Sequence, residues 1–452
     1  MRKRNVLIIT YSMIPHASSW GGCQRMYYLA EYLIREGYNV TVCSAKTNEE
    51  QFYGKEIHFS TMPLEIKNKI FRNFVYSKKV SHSNKKTDHI SANFIGKLRN
   101  IIKGKKTLFK ILVKIDEWIF NEPSYLMGLI SRNWISSWKK EISDYITENE
   151  IDTLIVSGPP FGMFSIVKYI KKKNHISVIL DYRDPWNLWH KRSLFARLAE
   201  KKNMKYVDCA VFTNHNLAKD MEKTFPIIKN KTYVVENGYS LSTWANIDTS
   251  LSKCEKKDFM ELTYVGAIDI SESSKETFRD VTKLLKAFER CIKDGLHIKL
   301  CFVGAANPSS KLASEIKEKY PVNFDVIGQV NSEDANIKLL HSDVLLLIHT
   351  ASDHSSKYLI SGKFYDYIKA QKPVMSIGDP NGNHAKIIRQ NGIGVSCKND
   401  VESIYRTMNL IYKKWKTDKL KIGELEIDRY SREYQNRNYS KLIDTLCRNK
   451  GK

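Results

Sequence analysis

VLIITYSMIPHASSWGGCQRMYYLAEYLIREGYNVTVCSA, the stretch from Val6 to Ala45, decides the fold. Val6–Ser12 is a short apolar run of the kind that forms a strand buried in a parallel sheet. A turn-forming stretch with Pro15, Gly21 and Gly22 follows, then a helix whose Met26, Leu29, Ala30, Leu33 and Ile34 share one face. Gly37 stands just past that helix, where a left-handed residue commonly closes it. Tyr38–Ala45 is the next strand. Strand, glycine-bearing loop, helix and strand form the repeating unit of doubly wound α/β sheets.

The rhythm persists outward. Thr153–Ser157, Ser177–Tyr182, Asp208–Thr213 and Thr232–Glu236 read as strands, with helices at about 161–172, 193–206 and 215–223. A second series starts near residue 260, with strands at Leu262–Gly266, Ile298–Gly304, Asn323–Gly328, Val344–His349 and Val374–Gly378. Its helices are expected at about 278–293, 309–319, 332–341, 363–371 and 400–416. A chain of 452 residues exceeds one ordinary core, and two βα series predict two doubly wound parallel-sheet domains facing across a cleft. The polar residues 239–258 read as the joint, giving domains at 1–240 and 241–428 and a closing helix at 429–452.

Composition narrows the partners. Apolar residues make up 42% of the chain, too many for a mostly disordered protein. Lys plus Arg number 73 against 49 Asp plus Glu, a net charge of +24 that favours nucleic acid, an anionic membrane surface or phosphorylated small molecules. A general lysine-rich bias is the plain alternative. The eight cysteines are scattered without a C-x-x-C pair, which argues for a reducing compartment and against a disulfide framework or structural zinc. The apolar core of the amino terminus, Val6–Ile9, is too short for a signal peptide, and no stretch reaches the roughly 20 apolar residues of a spanning helix. One region departs from the average: 66–115 carries fourteen Lys or Arg and one acid, Asp88. Its second half has apolar residues at helical spacing, so it is a candidate contact for an anionic membrane, or else an ordinary basic surface helix.

Several motifs are missing. No phosphate loop of the G-x-x-x-x-G-K-[ST] type and no G-x-G-x-x-G occurs. Without any Asp-x-Asp, a bound diphosphate is expected to rest on amides and Lys or Arg rather than on a chelated metal. Four strand-end stretches offer such groups. Gly21-Gly22 lets backbone N–H groups approach an anion. GPPFG, Gly158–Gly162, reads mainly as a rigid structural loop. DYRDPW, Asp181–Trp186, puts two carboxylates and a guanidinium at a strand tip. There Asp184 is a candidate acceptor for a substrate hydroxyl, and an Arg183–Asp184 ion pair is the structural alternative. SGKFYDYIKAQKPV, Ser361–Val374, offers Ser361 as helix cap, Gly362 as room for a ligand, and Lys363 in the first turn. A cation there opposes the helix dipole and so suggests a bound anion. Asp366 lies one turn on, suited to ribose hydroxyls, while Phe364, Tyr365 and Tyr367 read as packing residues. A surface Lys–Asp pair is the alternative.

With these motifs in order, the chain resembles group 1 glycosyltransferases, the retaining family 4 enzymes of the GT-B fold with two Rossmann-like domains. Within them it is similar to the bacterial surface-polysaccharide branch with D-[FY]-R-D-P-W. The residues that carry the resemblance are GG-x-QR at 21–25, SGPPFG at 157–162, DYRDPW, VVENG at 234–238, LTYVGAI at 262–268 and the SGKFYDYIKAQKPV stretch. The resemblance implies Gly21 and Gly22 facing the donor diphosphate and the acceptor, and Asp184 on the acceptor side of the reacting carbon, with Arg183 and Trp186 shaping that side. It implies Lys363 on the diphosphate with Ser361 and Gly362, Asp366 on the ribose, Arg279 as a second diphosphate cation, and Gly328, Gln329 and Val330 near the base. The departures are Tyr358 and Asp366 where many relatives have two Glu, and Ala267 where an Arg is common.

The implied reaction is metal-independent transfer of a sugar, with retention, from a nucleotide diphosphate donor, UDP-linked by preference, to a glycan or lipid-linked acceptor in capsule or O-antigen synthesis. The implied place is the cytoplasm, peripheral on the inner face of the membrane if 66–115 docks there. No cofactor beyond the nucleotide sugar and no nucleic-acid partner is expected. A nucleotide-sugar 2-epimerase of the same fold and a non-catalytic, membrane-docked assembly partner are the rival readings.

Overall fold

The computed structural model describes residues 3–13, 21–45, 55–58, 114, 116, 127–188, 193–248, 257–268, 279–304, 311–349 and 354–450. The basic segment 66–115 lies outside these apart from Lys114, and with it the expected membrane contact. The chain forms two units, Met1–Val235 with Asn436–Lys452, and Glu236–Gln435.

The first unit holds seven strands: β1 Asn5–Ile9, β2 Asn39–Ser44, β3 Lys55–His58, β4 Thr153–Gly158, β5 Ser177–Tyr182, β6 Cys209–Phe212 and β7 Thr232–Val234. They lie parallel in the order β3-β2-β1-β4-β5-β6-β7. The apolar runs read from the sequence are its centre: Val6, Leu7, Ile8 and Ile9 are at most 1% exposed. β1 pairs with β2 on one side and β4 on the other, Val6 opposite both Val40 and Thr153. Covering helices complete the core, with Met26, Leu29 and Leu33 of the helix Gly21–Arg35 packed among Val6, Ile8, Val40 and Val42. The last helix, Arg432–Lys450, adds Tyr439, Leu442 and Ile443 to that cluster, and the Tyr38 hydroxyl donates to Asp444 at 2.9 Å.

The second unit repeats the plan with β8 Met260–Val265, β9 Ile298–Val303, β10 Phe324–Ile327, β11 Val344–His349, β12 Val374–Gly378 and β13 Gly394–Cys397. The order is β10-β9-β8-β11-β12-β13, again all parallel. Both sheets therefore run third-second-first-fourth-fifth-sixth, the Rossmann-like doubly wound order, and the first adds a seventh strand at its edge.

Several elements differ from the sequence reading. The edge strands β3 and β13 were not expected; each is four residues long and lacks the long apolar run of a central strand. Two helices, Met127–Ser137 and Lys139–Glu148, were also unread. The first of them packs on the GPPFG loop, where a Cβ on Gly162 would run into the Gly128 carbonyl and the Ser131 hydroxyl. The helix expected at 161–172 begins as a 3-10 turn, Phe161–Ile166, before Val167–Lys173. Tyr239, Trp244 and Ile247, within the expected joint, are buried in a core cluster of the second unit. Their apolar side chains are too widely spaced among polar residues to show a period.

A buried ion pair ties the strand ends of the first unit together. Arg25 is 6% exposed and Asp181 fully buried. The guanidinium donates through Nε at 3.1 and 3.2 Å and through Nη2 at 2.9 Å. The Ser157 hydroxyl of β4 gives Asp181 a further bond at 2.9 Å. Removing one partner of such a pair strands the other charge in a low-dielectric interior. Arg25→Met is expected to cost about 3–5 kcal/mol in guanidinium unfolding followed by tryptophan fluorescence. A loss below about 1 kcal/mol would mean that water screens the pair.

Candidate functional site

In the second unit the critical place is where β8 and β11 part. The two strands pair only at Leu262–Val344 and Thr263–Leu345. Beyond that the gap is bridged by one side chain: the Tyr367 hydroxyl accepts from Val265 N at 3.1 Å and donates to Leu346 O at 3.0 Å. Tyr367 belongs to the helix Gly362–Ala370, which also buries Phe364 and Tyr365, so these three pack as expected. The bridge anchors the start of this helix over the ends of β8 and β11. Open parallel sheets bind ligands at such topological switch points.

Lys363 lies in the first turn. Its Nζ donates to the Tyr264 hydroxyl at 2.6 Å and sits 3.9 Å above the centre of that ring. Gly266, with φ +126°, leaves the room: a Cβ there would stand 2.6 Å from Nζ. Gly304, at the end of β9, lies against Gly266 and donates its N–H to the Ile327 and Gly328 carbonyls at 3.0 and 3.1 Å. Three neighbouring strand ends thus present a floor of backbone. Gly328 and Gln329 beyond it are exposed and Val330 is half-buried.

The electrostatics of this corner are one-sided. Burial, reinforced by the Arg279 charge, pulls the Lys363 ammonium down to about 7. Neither Lys363 nor the exposed Arg279 has a carboxylate within 4.0 Å among the described residues. His384, at the start of the helix Asn383–Gln390, is driven down to about 3 by burial and by His349 and Lys363. Its neutral Nε2 accepts the Ser361 N–H at 3.0 Å, which leaves the ring proton on Nδ1. Ser361 stands at the cap position, yet its hydroxyl makes no cap bond, correcting the expectation that it would. That hydroxyl is buried and finds no partner among the described residues. Asp366 lies one turn on, where Trp244 Nε1 donates to its Oδ1 at 3.1 Å. Burial raises Asp366 to about 6, opposed by Trp244 and Arg432. Tyr264, although inside LTYVGAI, was given no role by the sequence reading, and His349 and His384 escaped it because each is a lone residue with no motif around it.

In the first unit, Asp181 of DYRDPW is consumed by Arg25. Arg183 does not pair with Asp184; its guanidinium donates to the Pro159 carbonyl, and its main-chain N–H bonds Gly158 O at 3.0 Å. Burial raises the Asp184 carboxyl, and the Arg183 charge opposes this. Trp186 is 2% exposed and stacks on Phe161 at 5.2 Å, so it supports the loop from beneath rather than presenting a surface. Gly21 and Gly22 are the first residues of their helix. Burial raises the thiol of the next residue, Cys23, and the Arg183 charge lowers it. Sequence reading also missed Glu200, fully buried, raised to about 7 by burial, and accepting from Asn187 Nδ2 at 2.7 Å. Among the described residues no three His, Cys, Asp or Glu gather as metal ligands.

No protein-family model and no curated protein matches the chain. Solved structures do. A glycosyltransferase from Rickettsia africae is 13% identical with a TM-score of 0.60 over 99% of both chains. HepE from Anabaena, in complex with UDP, is 9% identical with a TM-score of 0.60, covering 98% of this chain and 100% of that chain. Sucrose-phosphate synthase from Thermosynechococcus elongatus is 11% identical with a TM-score of 0.54, covering 99% of this chain and 98% of that chain. The likeness runs end to end, and the fold is GT-B.

The depressed Lys363 carries a sign that can be checked. Its ordinary value is 10.5 and its folded value about 7, so protons favour the unfolded chain. Below about pH 7 both states are protonated and folding bears the full cost of the buried charge. As pH rises toward 10.5 that cost disappears. Lys363→Met should therefore raise unfolding stability by about 2–4 kcal/mol at pH 6, with the advantage fading in alkaline buffer. An equal stability of the two proteins at pH 6 would mean that Lys363 is solvated.

Proposed function

We propose that this chain is a glycosyltransferase using a nucleoside diphosphate sugar, and that the helix start at Ser361–Lys363 holds the donor diphosphate. The observation that carries the reading is a buried ammonium that has no counter-ion among the described residues, beside a second cation and a hydroxyl unpartnered among them, at the switch point of a parallel sheet. Anions bind where helix N–H groups, a positive dipole end and cations converge. In this reading Lys363 and Arg279 neutralise the diphosphate, and Ser361 and the Gly362 amide bond its oxygens. The backbone floor at Gly266 and Gly304 lets it approach closely. Asp366 takes the ribose, and Gln329 and Val330, after Gly328, face the base. UDP is the nucleotide of choice because HepE, of the same fold, was solved with it.

The acceptor side falls to the first unit, with Asp184 accepting a hydrogen bond from the reacting hydroxyl, Arg183 fixing its loop, and Gly21-Gly22 offering amides. The proposed transfer proceeds with retention and without metal. The bond from the anomeric carbon to the diphosphate breaks, the acceptor oxygen bonds to that carbon on the same face, and its proton passes to the departing phosphate oxygen. Lys363 and the helix amides stabilise the charge that grows there. A hexosyl donor, a glycan or lipid-linked acceptor of a bacterial surface polysaccharide, and contact of 66–115 with the cytoplasmic face of the membrane complete the proposal. Among the described residues no helix is long and apolar enough to cross a membrane.

Thermal unfolding against UDP, GDP, ADP and CMP tests the donor site. One nucleoside diphosphate at about 100 times its dissociation constant should stabilise the protein by about 2.7 kcal/mol, with the effect lost in Lys363→Met. Mass spectrometry of the matching nucleotide sugar then separates transfer from isomerisation: an epimerised sugar nucleotide formed without acceptor would replace this reading with a 2-epimerase. No shift with any nucleotide would sink both.

A further inference from the structure

The helix Leu194–Met204, LFARLAEKKNM, carries exposed apolar side chains on its outward face. Ser193 caps it, its hydroxyl accepting from Ala196 N at 3.3 Å. The inward face carries Ala196, Glu200, Asn203 and Met204, all buried. Outward, Leu194 is 69% exposed, Leu198 57% and Phe195 47%. No other helix among the described residues exposes more than one large apolar side chain. Arg197, Lys201, Lys202 and, just past the end, Lys205 are exposed on the same side. The helix's one acid, Glu200, is turned inward onto Asn187.

From this geometry we infer that the outward face of the helix Leu194–Met204 docks on an anionic lipid bilayer. Apolar residues in the first two turns enter the headgroup boundary while the basic last turn meets lipid phosphates, the division of labour of an interfacial helix. An all-positive rim matches a negatively charged surface, and a protein partner would need a complementary acidic groove on one side and an apolar one on the other. The inference uses only the surface of the first unit and is independent of the nucleotide site and of residues 66–115. Its consequence is positional. Glu200 ties this helix to Asn187, three residues after Asp184, so lipid contact brings the DYRDPW loop to the bilayer surface.

Flotation of the full chain with phosphatidylcholine vesicles, with and without phosphatidylglycerol, tests it. The wild type should float with the anionic vesicles, and a part of that binding should survive high salt, since only apolar insertion resists screening. Leu194→Ser with Leu198→Ser should lower the salt-resistant binding about tenfold or more and leave the melting temperature unchanged. Lys201→Glu with Lys202→Glu should weaken low-salt binding alone. Three results would overturn the inference: no wild-type flotation, serine variants that float like the wild type in high salt, or a lowered melting temperature of the serine variants. The last would show that the chain itself covers the leucines.

Discussion

Parallel strands need crossover connections, and right-handed crossovers force a sheet that grows in both directions from its first strand to send helices to opposite faces. In the second unit β8 is followed by β9 on one side, while β11 is followed by β12 on the other. The two strands part after Thr263 and Leu345, leaving main-chain groups that the ladder no longer satisfies. Buried backbone N–H and C=O groups must find partners, and the Tyr367 hydroxyl supplies both a donor and an acceptor. Because Tyr367 sits one turn beyond Lys363, this bridge fixes the rotation of the helix and aims its first turn at the strand ends. The site is thus a consequence of repairing the sheet.

The two units treat buried charge in opposite ways. In the first, Arg25 meets Asp181 through several bonds with Ser157 as an added donor, so both charges are satisfied and the pair is structural. In the second, Lys363 is given an aromatic face and a phenolic oxygen, neither of which neutralises it. An ammonium over a ring gains of order 0.5–2 kcal/mol, less than the several kcal/mol of removing an ion from water. A fold that retained Lys363 only for stability would do better with a methionine. The imbalance is what supports the proposed ligand site over a packing solution, and a motif cannot display it.

Much of the architecture was legible because central parallel strands are apolar on both faces and announce themselves as short hydrophobic runs. Edge strands do not: Lys55–His58 and Gly394–Cys397 pair on one side only and carry too few apolar residues to stand out. Lys363 could be suspected from its place in the first turn of a helix, since that position is electrostatically unfavourable without an anion. Arg25 and Asp181 were visible as parts of two motifs, but their pairing spans 156 residues of sequence and needed the strand order to bring it about. Trp186, which the resemblance puts on the acceptor side, stacks on Phe161 beneath the loop, a packing role that a motif cannot display. His384 was invisible for a related reason, being joined to Ser361 only through space.

His384 also explains how the helix start keeps its hydroxyl available. Two cationic groups cannot share so small a buried volume cheaply, and Lys363 takes the charge because its intrinsic basicity is higher by about four units. His384 is therefore held neutral, first by burial, then by the neighbouring His349 and, least, by Lys363. A neutral imidazole has a lone pair, and that lone pair receives the Ser361 N–H. The amide bond holds Ser361 in an extended conformation at φ −69°, ψ 144° without help from its own side chain. A capping serine would have spent its hydroxyl on the backbone N–H groups two or three residues ahead. Here the histidine does the holding, so the Ser361 hydroxyl is left unspent among the described residues, which is what the proposed diphosphate site requires.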